Sequence, residues 1–435
     1  MSKLTQSKKI FELVLLILAA GSIYPLVYLR QNFEETILVV YGIDQADLAN
    51  LYSILGLIFV FGYLPSGWLA DRVSVKLLVT SSLVITGLAG LVYAQIPDKQ
   101  FLLYIFLVWG FSTVLTFWSA LIKSVSLLAE AKEEGRFFGA LDGGRGLVEA
   151  ILATVAVGIF ATVVGTGEAS MDETRAGFQA VVSMYCIFMF VVAAGLFFVM
   201  PGKREAAAVS RPNHSDAVES TLAAILRIVK IREVWVMIVV LFSGYTLFWA
   251  HYYFSGYLGV NHDVSQVNAA VVTVIVLWMR PIGGFGGGFL ADKFGRSRVL
   301  SIAMVLTAIM LFALALLPGG SSIGVIYTLI VAAGLVMYVI RGVYWSLLDD
   351  CRVPVAATGI AIGVISLFGY LPDVFLPQVS SVIYNNFGDD VAAANNLYFA
   401  VSGVVGLIGA GAAVYFSVLM KRRKALEAIE LQTAS

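Results

Sequence analysis

Long apolar runs separated by short polar loops dominate the chain. Each run holds about 20 residues, the length that an α-helix needs to cross the hydrocarbon core of a bilayer. The pattern therefore predicts an all-α membrane protein with twelve spanning helices, numbered here as spans 1 to 12. The predicted spans are 10–33, 45–66, 77–96, 101–122, 143–164, 177–200, 234–258, 266–289, 299–317, 323–347, 357–383 and 396–420. The first run is long enough to span, so we expect it to be retained as span 1 and not cleaved as a signal peptide.

The longest polar stretch, 201–233, divides the twelve spans into two groups of six. We therefore predict an N-terminal bundle over 1–200, a cytoplasmic linker over 201–233 and a C-terminal bundle over 234–435. Within the linker, residues 219–232 place apolar side chains on one helical face and cations elsewhere. This pattern predicts an amphipathic helix lying on the inner leaflet.

Composition supports a membrane location and excludes other classes. Hydrophobic residues make up 60% of the chain and charged residues 13%, and the mean hydropathy is +0.90. A soluble enzyme, a disordered hub or a secreted disulfide scaffold would not carry so much apolar surface. Lys+Arg and Asp+Glu both number 28, so no net charge favours nucleic-acid binding. Cys186 and Cys351 fall in or beside apolar segments and are expected to be small core residues.

The loops carry a strong charge asymmetry. If both termini are cytoplasmic, the inner segments hold 22 Lys and Arg residues, and the outer loops hold only Lys99 and Arg175. Cytoplasmic loops are the ones enriched in these cations. The asymmetry predicts cytoplasmic termini, in a protein of a plasma membrane such as the bacterial inner membrane.

A repeated loop motif indicates an internal duplication. The pattern G-x-L-A-D-[RK] follows span 2 and again follows span 8, 221 positions later. The same offset aligns Tyr24 with Tyr245, Arg30 with His251 and Phe33 with Phe254. Two matching segments at one offset favour a duplicated six-helix unit. The repeated motif residues are Gly67, Asp71 and Arg72 in the first copy and Gly288, Asp292 and Lys293 in the second.

The second copy, continued through Gly295 and Arg296 to Arg298, resembles the cytoplasmic loop signature of the major facilitator superfamily. The first copy departs from that signature, because Ser74 and Val75 stand where Gly and Arg are usual. The resemblance implies two pseudo-symmetric six-helix bundles that work by alternating access. It also implies that the eight motif residues form a gating element and not a substrate site. We expect Gly67 and Gly288 to allow close approach of neighbouring helices.

A second resemblance concerns the end of span 1. The stretch from Tyr28 to Phe33 is similar to the first helix of the organophosphate/inorganic-phosphate antiporter family, in which an arginine binds phosphate. The resemblance implies that Arg30 is an anion-binding residue. The family pairs that arginine with another in span 7, where this chain has His251. A histidine there could still bind an anion or take up a proton. Nearby Trp249 and Tyr252 are candidate cavity walls.

Other ionisable residues lie inside predicted spans, where a charge costs about 2.5–3.5 kcal/mol and normally faces a cavity or a partner. Asp142, Arg145 and Glu149 share one side of span 5 by their spacing, which predicts either a self-neutralising group or a coupling site. Arg280 precedes Pro281 in span 8, and Arg341 precedes Tyr344 in span 10. Asp373, after Pro372 in span 11, could pair with an arginine or carry a proton. The predicted substrate-binding set is Arg30, Tyr28, Trp249, His251, Tyr252, Arg341, Tyr344 and Arg280.

These features predict a secondary transporter and not an enzyme. The three histidines have no metal-ligand spacing and no phosphate-binding loop is present, so no cofactor or metal is expected. The arginines favour a small organic anion, such as a carboxylate, sulfonate or phosphate ester, carried by proton symport or anion exchange. One alternative is a proton-driven efflux pump for amphipathic drugs, which would need an aromatic cavity with one acid. Another is a transport-like receptor that contacts a partner through 201–233. We expect a monomer.

Overall fold

A computed structural model of the chain describes residues 3–128, 134–165, 170–200, 226–318, 320–353 and 358–433. Twelve helices in these ranges are long and apolar enough to cross a membrane, which confirms the predicted number. Their membrane-crossing parts are Gln6–Tyr41, Gln45–Gly62, Val75–Ala94, Lys99–Val125, Ala140–Val164, Met171–Val199, Arg232–His262, Gln266–Phe294, Arg296–Leu316, Ile323–Cys351, Ala361–Phe387 and Val391–Arg423. They keep the numbers of the predicted spans.

In the part of the chain that the structure describes, five spans are interrupted within the membrane-crossing region. Span 4 winds into a wider π-helix over Phe111–Trp118, and the others contain a tighter turn or a break. The helical pieces are Lys3–Val27 and Arg30–Tyr41 in span 1, Arg232–Trp249, Ala250–Tyr253 and Phe254–His262 in span 7, Ile323–Val343 and Tyr344–Cys351 in span 10, and Thr358–Gly369 and Pro372–Phe387 in span 11. Interrupted helices leave backbone groups free to line a site, so spans 1, 4, 7, 10 and 11 are the first places to look for one.

The helix boundaries repeat with the period found in the sequence. Spans 2 and 8 begin at Gln45 and Gln266, and spans 3 and 9 begin at Val75 and Arg296, each pair 221 positions apart. The breaks in spans 1 and 7 also lie at equivalent places, just before Arg30 and around His251. Because the boundaries and breaks recur together, the pseudo-symmetry extends from the sequence to the local backbone.

Contacts group the chain into two compact units. Unit 1 comprises Met1–Asn213 together with Phe254–Trp278 and Pro377–Asn385. Unit 2 comprises His214–Tyr253, Met279–Leu376 and Asn386–Ser435. The boundary therefore passes through spans 7, 8 and 11, at or near the interruptions of spans 7 and 11.

Close helix contacts hold the core of each unit. In unit 1, a Cβ at Gly90 of span 3 would clash with the Sγ of Cys186 on span 6 and with Leu26 on span 1. In unit 2, a Cβ at Gly409 of span 12 would clash with Ser243 of span 7. Cys186 and Cys351 are both buried and reduced, as their apolar context predicts.

Three expectations need correction or fall outside the structure. Span 1 continues eight residues past the predicted end at Phe33 to Tyr41, because its polar residues from Arg30 to Glu34 are buried against protein and not exposed in a loop. The prediction that Gly67 and Gly288 allow close helix approach is wrong, since a Cβ at either would meet nothing within 4 Å among the described residues. The first half of the predicted amphipathic helix, 219–225, lies outside the described residues; in the second half, 226–228 are helical and 229–230 form a turn, so the helix does not continue to 232 as predicted.

Candidate functional site

The tight turn of span 7 gathers aromatic side chains in unit 2. His251 is buried and its Nδ1 hydrogen-bonds with the carbonyl oxygen of Phe248. Its ring lies between Phe248, at a centroid distance of 4.2 Å, and Tyr252, at 3.9 Å. Trp249 packs edge-on to Tyr252 at 5.0 Å. The 3-10 geometry of Ala250–Tyr253 thus concentrates ring faces and edges at one level of the span.

Asp373 is an acceptor shared by two residues of span 7. Its Oδ1 accepts a hydrogen bond from the hydroxyl of Tyr245 at 2.8 Å and from Nε1 of Trp249 at 2.9 Å. The carboxylate is buried in the first turn of the helix that begins at Pro372, where the helix dipole favours a negative charge. Asp373 therefore ties span 11 to span 7 next to the aromatic group.

Arg341 of span 10 faces the same aromatic residues. Its guanidinium lies 4.2 Å from the ring centroid of Phe248 and 5.7 Å from that of Tyr245. Such cation–π contacts attract the charge without neutralising it. Within the described residues, no carboxylate oxygen lies within 4.0 Å of Arg341. The residue is half-buried, and its charge interacts electrostatically with Asp373.

A wall of hydroxyl and indole groups completes this cluster. The Tyr370 hydroxyl lies 3.4 Å from that of Tyr344 and accepts a hydrogen bond from Nε1 of Trp345 at 3.0 Å. The Tyr370 ring packs edge-on to Tyr245 at 4.7 Å. Span 10 changes to a 3-10 helix at Tyr344, which brings Tyr344 and Trp345 to the same side.

A second arginine, Arg280 of span 8, contributes charge to the same cluster. Arg280 is half-buried in span 8, and both Arg280 and Arg341 interact electrostatically with His251. In unit 2, two arginines therefore interact with His251, and one of them, Arg341, also interacts electrostatically with the buried acid Asp373. We call these residues, with Tyr245, Phe248, Trp249, Tyr252, Tyr344 and Tyr370, the arginine–aromatic site.

Unit 1 contains a separate charged group on span 5. Arg145 Nη2 lies 3.3 Å from Asp142 Oδ1, and its guanidinium lies 5.9 Å from the ring centroid of Trp118. The Asp142 side chain is 76% exposed and that of Arg145 is 15% exposed. Glu149 is half-buried one turn further along the helix. Because solvent screens an exposed carboxylate, this ion pair contributes little stability.

Arg30 and Tyr28 also lie in unit 1, at the break in span 1. The Tyr28 ring stacks on that of Tyr52 at 5.5 Å, and the Arg30 guanidinium lies 5.2 Å from the same ring. Arg30 is fully buried and forms a salt bridge with Glu34, in which Nε donates to Oε2 at 2.9 Å. Sequence analysis overlooked Glu34, although the i,i+4 spacing was a signal for the pair.

The second loop motif forms a defined charge network. Gly295 has a φ of 93°, a conformation that favours glycine, and it lets span 8 turn sharply into span 9. Arg296 then forms salt bridges with Asp349 at 3.0 Å and Asp350 at 3.6 Å, at the end of span 10. Asp292 and Lys293 are exposed.

The first copy of the motif reaches the corresponding turn differently. Ser74, with a φ of −59°, stands where the second copy has glycine. Arg72 lies 4.3 Å from the ring centroid of Trp68. Lys123 donates to the carbonyl oxygen of Ala70 at 2.9 Å. The side chain of Asp71 lies outside the described part of the chain.

The twelve spans, the repeat of helix boundaries and the salt bridges of the second loop motif are together typical of one transporter architecture. The family model of the Major Facilitator Superfamily matches residues 13–377. The chain belongs to the major facilitator superfamily. Members of this superfamily are transporters and not enzymes. The predicted fold class is thus confirmed.

Relatives of this superfamily protein extend over almost the whole chain. Inner membrane protein YqcE of Escherichia coli K12 is 25% identical over 414 residues, which cover 94% of this chain and 93% of that protein. Inner membrane protein YihN of the same organism is also 25% identical over 414 residues, covering 94% of each chain. A bacterial homologue of the human lysosomal transporter Spinster, solved in an inward-facing, unoccupied conformation, has a TM-score of 0.71 at 16% identity and covers 97% of this chain and 98% of its own. At that identity, the structural likeness shows the fold alone.

Proposed function

We propose that this superfamily transporter carries a small organic anion and that Arg341 is its main anion-binding residue. The observation that carries the proposal is the environment of Arg341: a cation within a spanning helix, held over two ring faces, with no carboxylate in salt-bridge range among the described residues. A charge at bilayer depth costs about 2.5–3.5 kcal/mol and normally finds a counter-charge. Asp373 interacts electrostatically with Arg341 but forms no salt bridge with it, and Arg280 adds a second positive charge to the site, so a bound anion would supply the charge that is still missing.

The neighbours of Arg341 support an anion and not a cation. The nearby acid, Asp373, already accepts two hydrogen bonds through one oxygen, whereas Arg280 adds a further positive charge. The planar guanidinium suits a carboxylate, sulfonate or phosphate, which can accept two parallel hydrogen bonds. Tyr252 and Trp249 would then contact the apolar part of the substrate. Arg30, together with Tyr28, remains a predicted second anion contact, available when Glu34 releases it.

A second candidate is proton-driven export of amphipathic cations. The aromatic lining and the buried acid of the arginine–aromatic site favour it, since such a cation could lie over ring faces near Asp373. Arg341 and Arg280 oppose it by charge repulsion. The two candidates therefore make opposite predictions for a cationic and an anionic probe.

A ligand screen on purified protein tests the proposal. A ligand stabilises the state that it binds, by about 2.7 kcal/mol at a concentration of 100 Kd. We expect stabilisation by members of a panel of monocarboxylates, dicarboxylates, sulfonates and phosphate monoesters, and none by tetraphenylphosphonium. Arg341→Ala should abolish the effect and Arg341→Lys should reduce it, because lysine keeps the charge without the planar fork.

Arg232→Ala is the matched control. Arg232 also lies over a tyrosine ring in unit 2, 5.2 Å from the ring centroid of Tyr415, but it is exposed at the start of span 7. Its loss should leave anion stabilisation unchanged. Stabilisation of the parent by tetraphenylphosphonium alone would contradict the anion proposal and favour export of cations.

Coupling and location complete the proposal. Symport would use Asp373, Glu149 or His251 as the proton carrier, and Asp142 and Arg145 as a charge pair, whereas exchange would need none of them. We propose the bacterial inner membrane, because YqcE and YihN, which match over almost their whole length, are named as inner membrane proteins. Both termini and 201–233 should be cytoplasmic, in line with the 22 cations on that side. The six-span bundles 1–200 and 234–435 should be the moving bodies.

A further inference from the structure

Two opposite charges of unit 2 belong to one cluster without forming a salt bridge. Asp373 of span 11 and Arg341 of span 10 interact electrostatically, yet the nitrogens of Arg341 lie more than 4.0 Å from any carboxylate oxygen among the described residues. Tyr245 contacts both groups. Its hydroxyl donates to Asp373 Oδ1 at 2.8 Å, and its ring centroid lies 5.7 Å from the Arg341 guanidinium. The acid and the cation are therefore held in one site, but apart.

The guanidinium of Arg341 keeps its hydrogen-bond donors unused. A guanidinium carries several N–H donors in a planar fork and no acceptor. Arg341 donates no hydrogen bond within the part of the chain that the structure describes, and the faces of Phe248 and Tyr245 are its ring contacts. Its nitrogens are not fully enclosed by protein, since the residue is half-buried. Ring faces attract the charge but are weak acceptors, so the donors remain for a bound acid group.

The carboxylate of Asp373 uses only one of its two oxygens. Oδ1 accepts from the Tyr245 hydroxyl and from Trp249 Nε1, whereas Oδ2 accepts no hydrogen bond from the described residues. Asp373 is 7% exposed, and Oδ2 is not enclosed by protein. A carboxylate oxygen with no donor inside a spanning segment is unfavourable. A ligand that brings a donor to Oδ2 would therefore gain affinity.

The charges around Asp373 favour a neutral donor over a cationic one. The negative charge of Asp373 is already stabilised by two hydrogen bonds, by the N-terminus of the helix Pro372–Phe387 and by the attraction of Arg341. A ligand with an acid group and a hydroxyl would supply an anion to Arg341 and a donor to Oδ2. A ligand with an ammonium would instead bring a second positive charge close to the guanidinium. The arrangement therefore fits a hydroxyl better than an ammonium.

We propose that the transported anion carries a hydroxyl group, which donates to Asp373 Oδ2 while the acid group accepts hydrogen bonds from Arg341. The inference rests on the proposed function, because it names the class of anion within it. That class is the hydroxy acids: hydroxycarboxylates, hydroxyalkanesulfonates and phosphate esters of polyols. Asp373 is thus a substrate-binding residue that selects for the hydroxyl.

Matched ligands measure the contribution of the hydroxyl. The ω-hydroxy acids from glycolate to hydroxyhexanoate are each compared with the acid that has a methyl group in place of the hydroxyl, with the ω-methoxy acid and with the ω-amino acid. These analogues offer no polar group, an acceptor only and a charged donor, respectively. Dissociation constants are measured by calorimetry on the purified full chain in detergent. If the ligand screen selects sulfonates or phosphate esters, the same series is built on that acid group.

The parent should discriminate among these analogues by their donors. At the chain length that fits the site, the hydroxy acid should bind about tenfold to a hundredfold more tightly than its methyl analogue, the range expected for a hydrogen bond to a charged group. The methoxy acid should lose this advantage because it cannot donate. The amino acid should bind less tightly than the hydroxy acid, since its ammonium lies close to Arg341.

Asp373→Asn exchanges the acceptor at Oδ2 for a donor. The amide oxygen can keep the bonds from Tyr245 and Trp249, which leaves Nδ2 in the place of Oδ2. Hydroxy and methoxy acids should then bind within a few-fold of each other, because both can accept from Nδ2. Glu12→Gln is the matched control: it removes a buried carboxyl group from span 1, in unit 1, and should keep the preference of the parent. If Asp373→Asn does not fold, the four ligand types still decide the question on the parent.

The outcomes separate this inference from the proposed function. Equal affinities for hydroxy and methyl acids at every length, in a parent that binds these anions, would overturn the inference and leave the anion proposal standing. A preference for amino acids would overturn it as well and indicate a zwitterionic substrate. The parent's ratio of hydroxy to methoxy affinity, if unchanged in Asp373→Asn, would show that the hydroxyl binds elsewhere. A parent that binds no anion would contradict the proposed function itself.

Discussion

Asp373 is predicted to stabilise the arginine–aromatic site mainly as a hydrogen-bond acceptor. Asp373→Leu removes the acceptor of two buried donors, the Tyr245 hydroxyl and Trp249 Nε1. An unsatisfied buried donor costs about 1–3 kcal/mol, so the substitution should cost about 2–6 kcal/mol of unfolding free energy. Asp373→Asn keeps a carbonyl oxygen in the same place and also removes a buried charge. We therefore expect Asn to remain within about 1 kcal/mol of the parent.

A double-mutant cycle checks this assignment. In a Tyr245→Phe background one donor is already absent, so the cost of Asp373→Leu should fall by about 1–3 kcal/mol. Unfolding can be followed by denaturant titration in mixed micelles with a thiol-reactive dye, because both native cysteines are buried and become reactive on unfolding. Equal costs for Leu in the two backgrounds, or equal costs for Leu and Asn in the parent, would refute the hydrogen-bond reasoning.

The same variants address proton coupling. If Asp373 is only an acceptor, Asp373→Asn should transport with the pH dependence of the parent. If Asp373 carries a coupling proton, Asp373→Asn should be as stable as the parent but should lose transport driven by a pH gradient. Proteoliposome uptake of whichever anion stabilises the parent in the ligand screen separates these outcomes.

Three further predictions concern other parts of the chain. Gly256→Ala should lower the free energy of unfolding by about 1–3 kcal/mol, because its Cβ would overpack the site and displace Glu34, whereas Gly158→Ala meets nothing within 4 Å among the described residues and should not lower it. Asp292→Asn should slow transport but leave anion affinity within a few-fold, since the motif is predicted to bias conformations; loss of binding in a folded variant would contradict this. A cysteine at Ser210 should resist an impermeant reagent added outside intact cells, and labelling there would contradict the predicted topology.

The sequence predicted the span number and most boundaries because lipid imposes a simple requirement: about 20 apolar residues per helix. It failed at the end of span 1, where Asn32 and Thr36 are polar but find partners within unit 1. It could not predict the π-helix over Phe111–Trp118 either, since that segment is as apolar as a regular helix and contains no proline. Hydropathy reports the average environment of a segment and not the pairing of its polar groups.

The candidate sites show the same limit. Arg341 and Asp373 were recognisable because a lone charge in an apolar span is conspicuous. Glu34 was missed because the prediction ended span 1 at Phe33, which placed this acid in a loop. Tyr370 was also missed, since nothing in the local sequence distinguishes a tyrosine that accepts an indole hydrogen bond from one in an interfacial belt. Such partners become visible only when distant spans are packed.

The divergence of the two repeats explains why the equivalent positions differ in charge. Arg30 corresponds to His251, and four residues later Glu34 corresponds to Ser255, so the second copy has no acid to accompany a cation at position 251. An arginine there would be buried between Phe248 and Tyr252, close to the charges of Arg280 and Arg341, and would lack a counter-ion. A histidine can remain neutral in that place. The next pair, Glu35 and Gly256, differs in size, and Gly256 provides the space that seats Glu34. The duplicated segment has therefore diverged into complementary halves: span 1 carries the acids, and span 7 carries small, uncharged residues. Arginines at both position 30 and position 251 would have removed that complementarity.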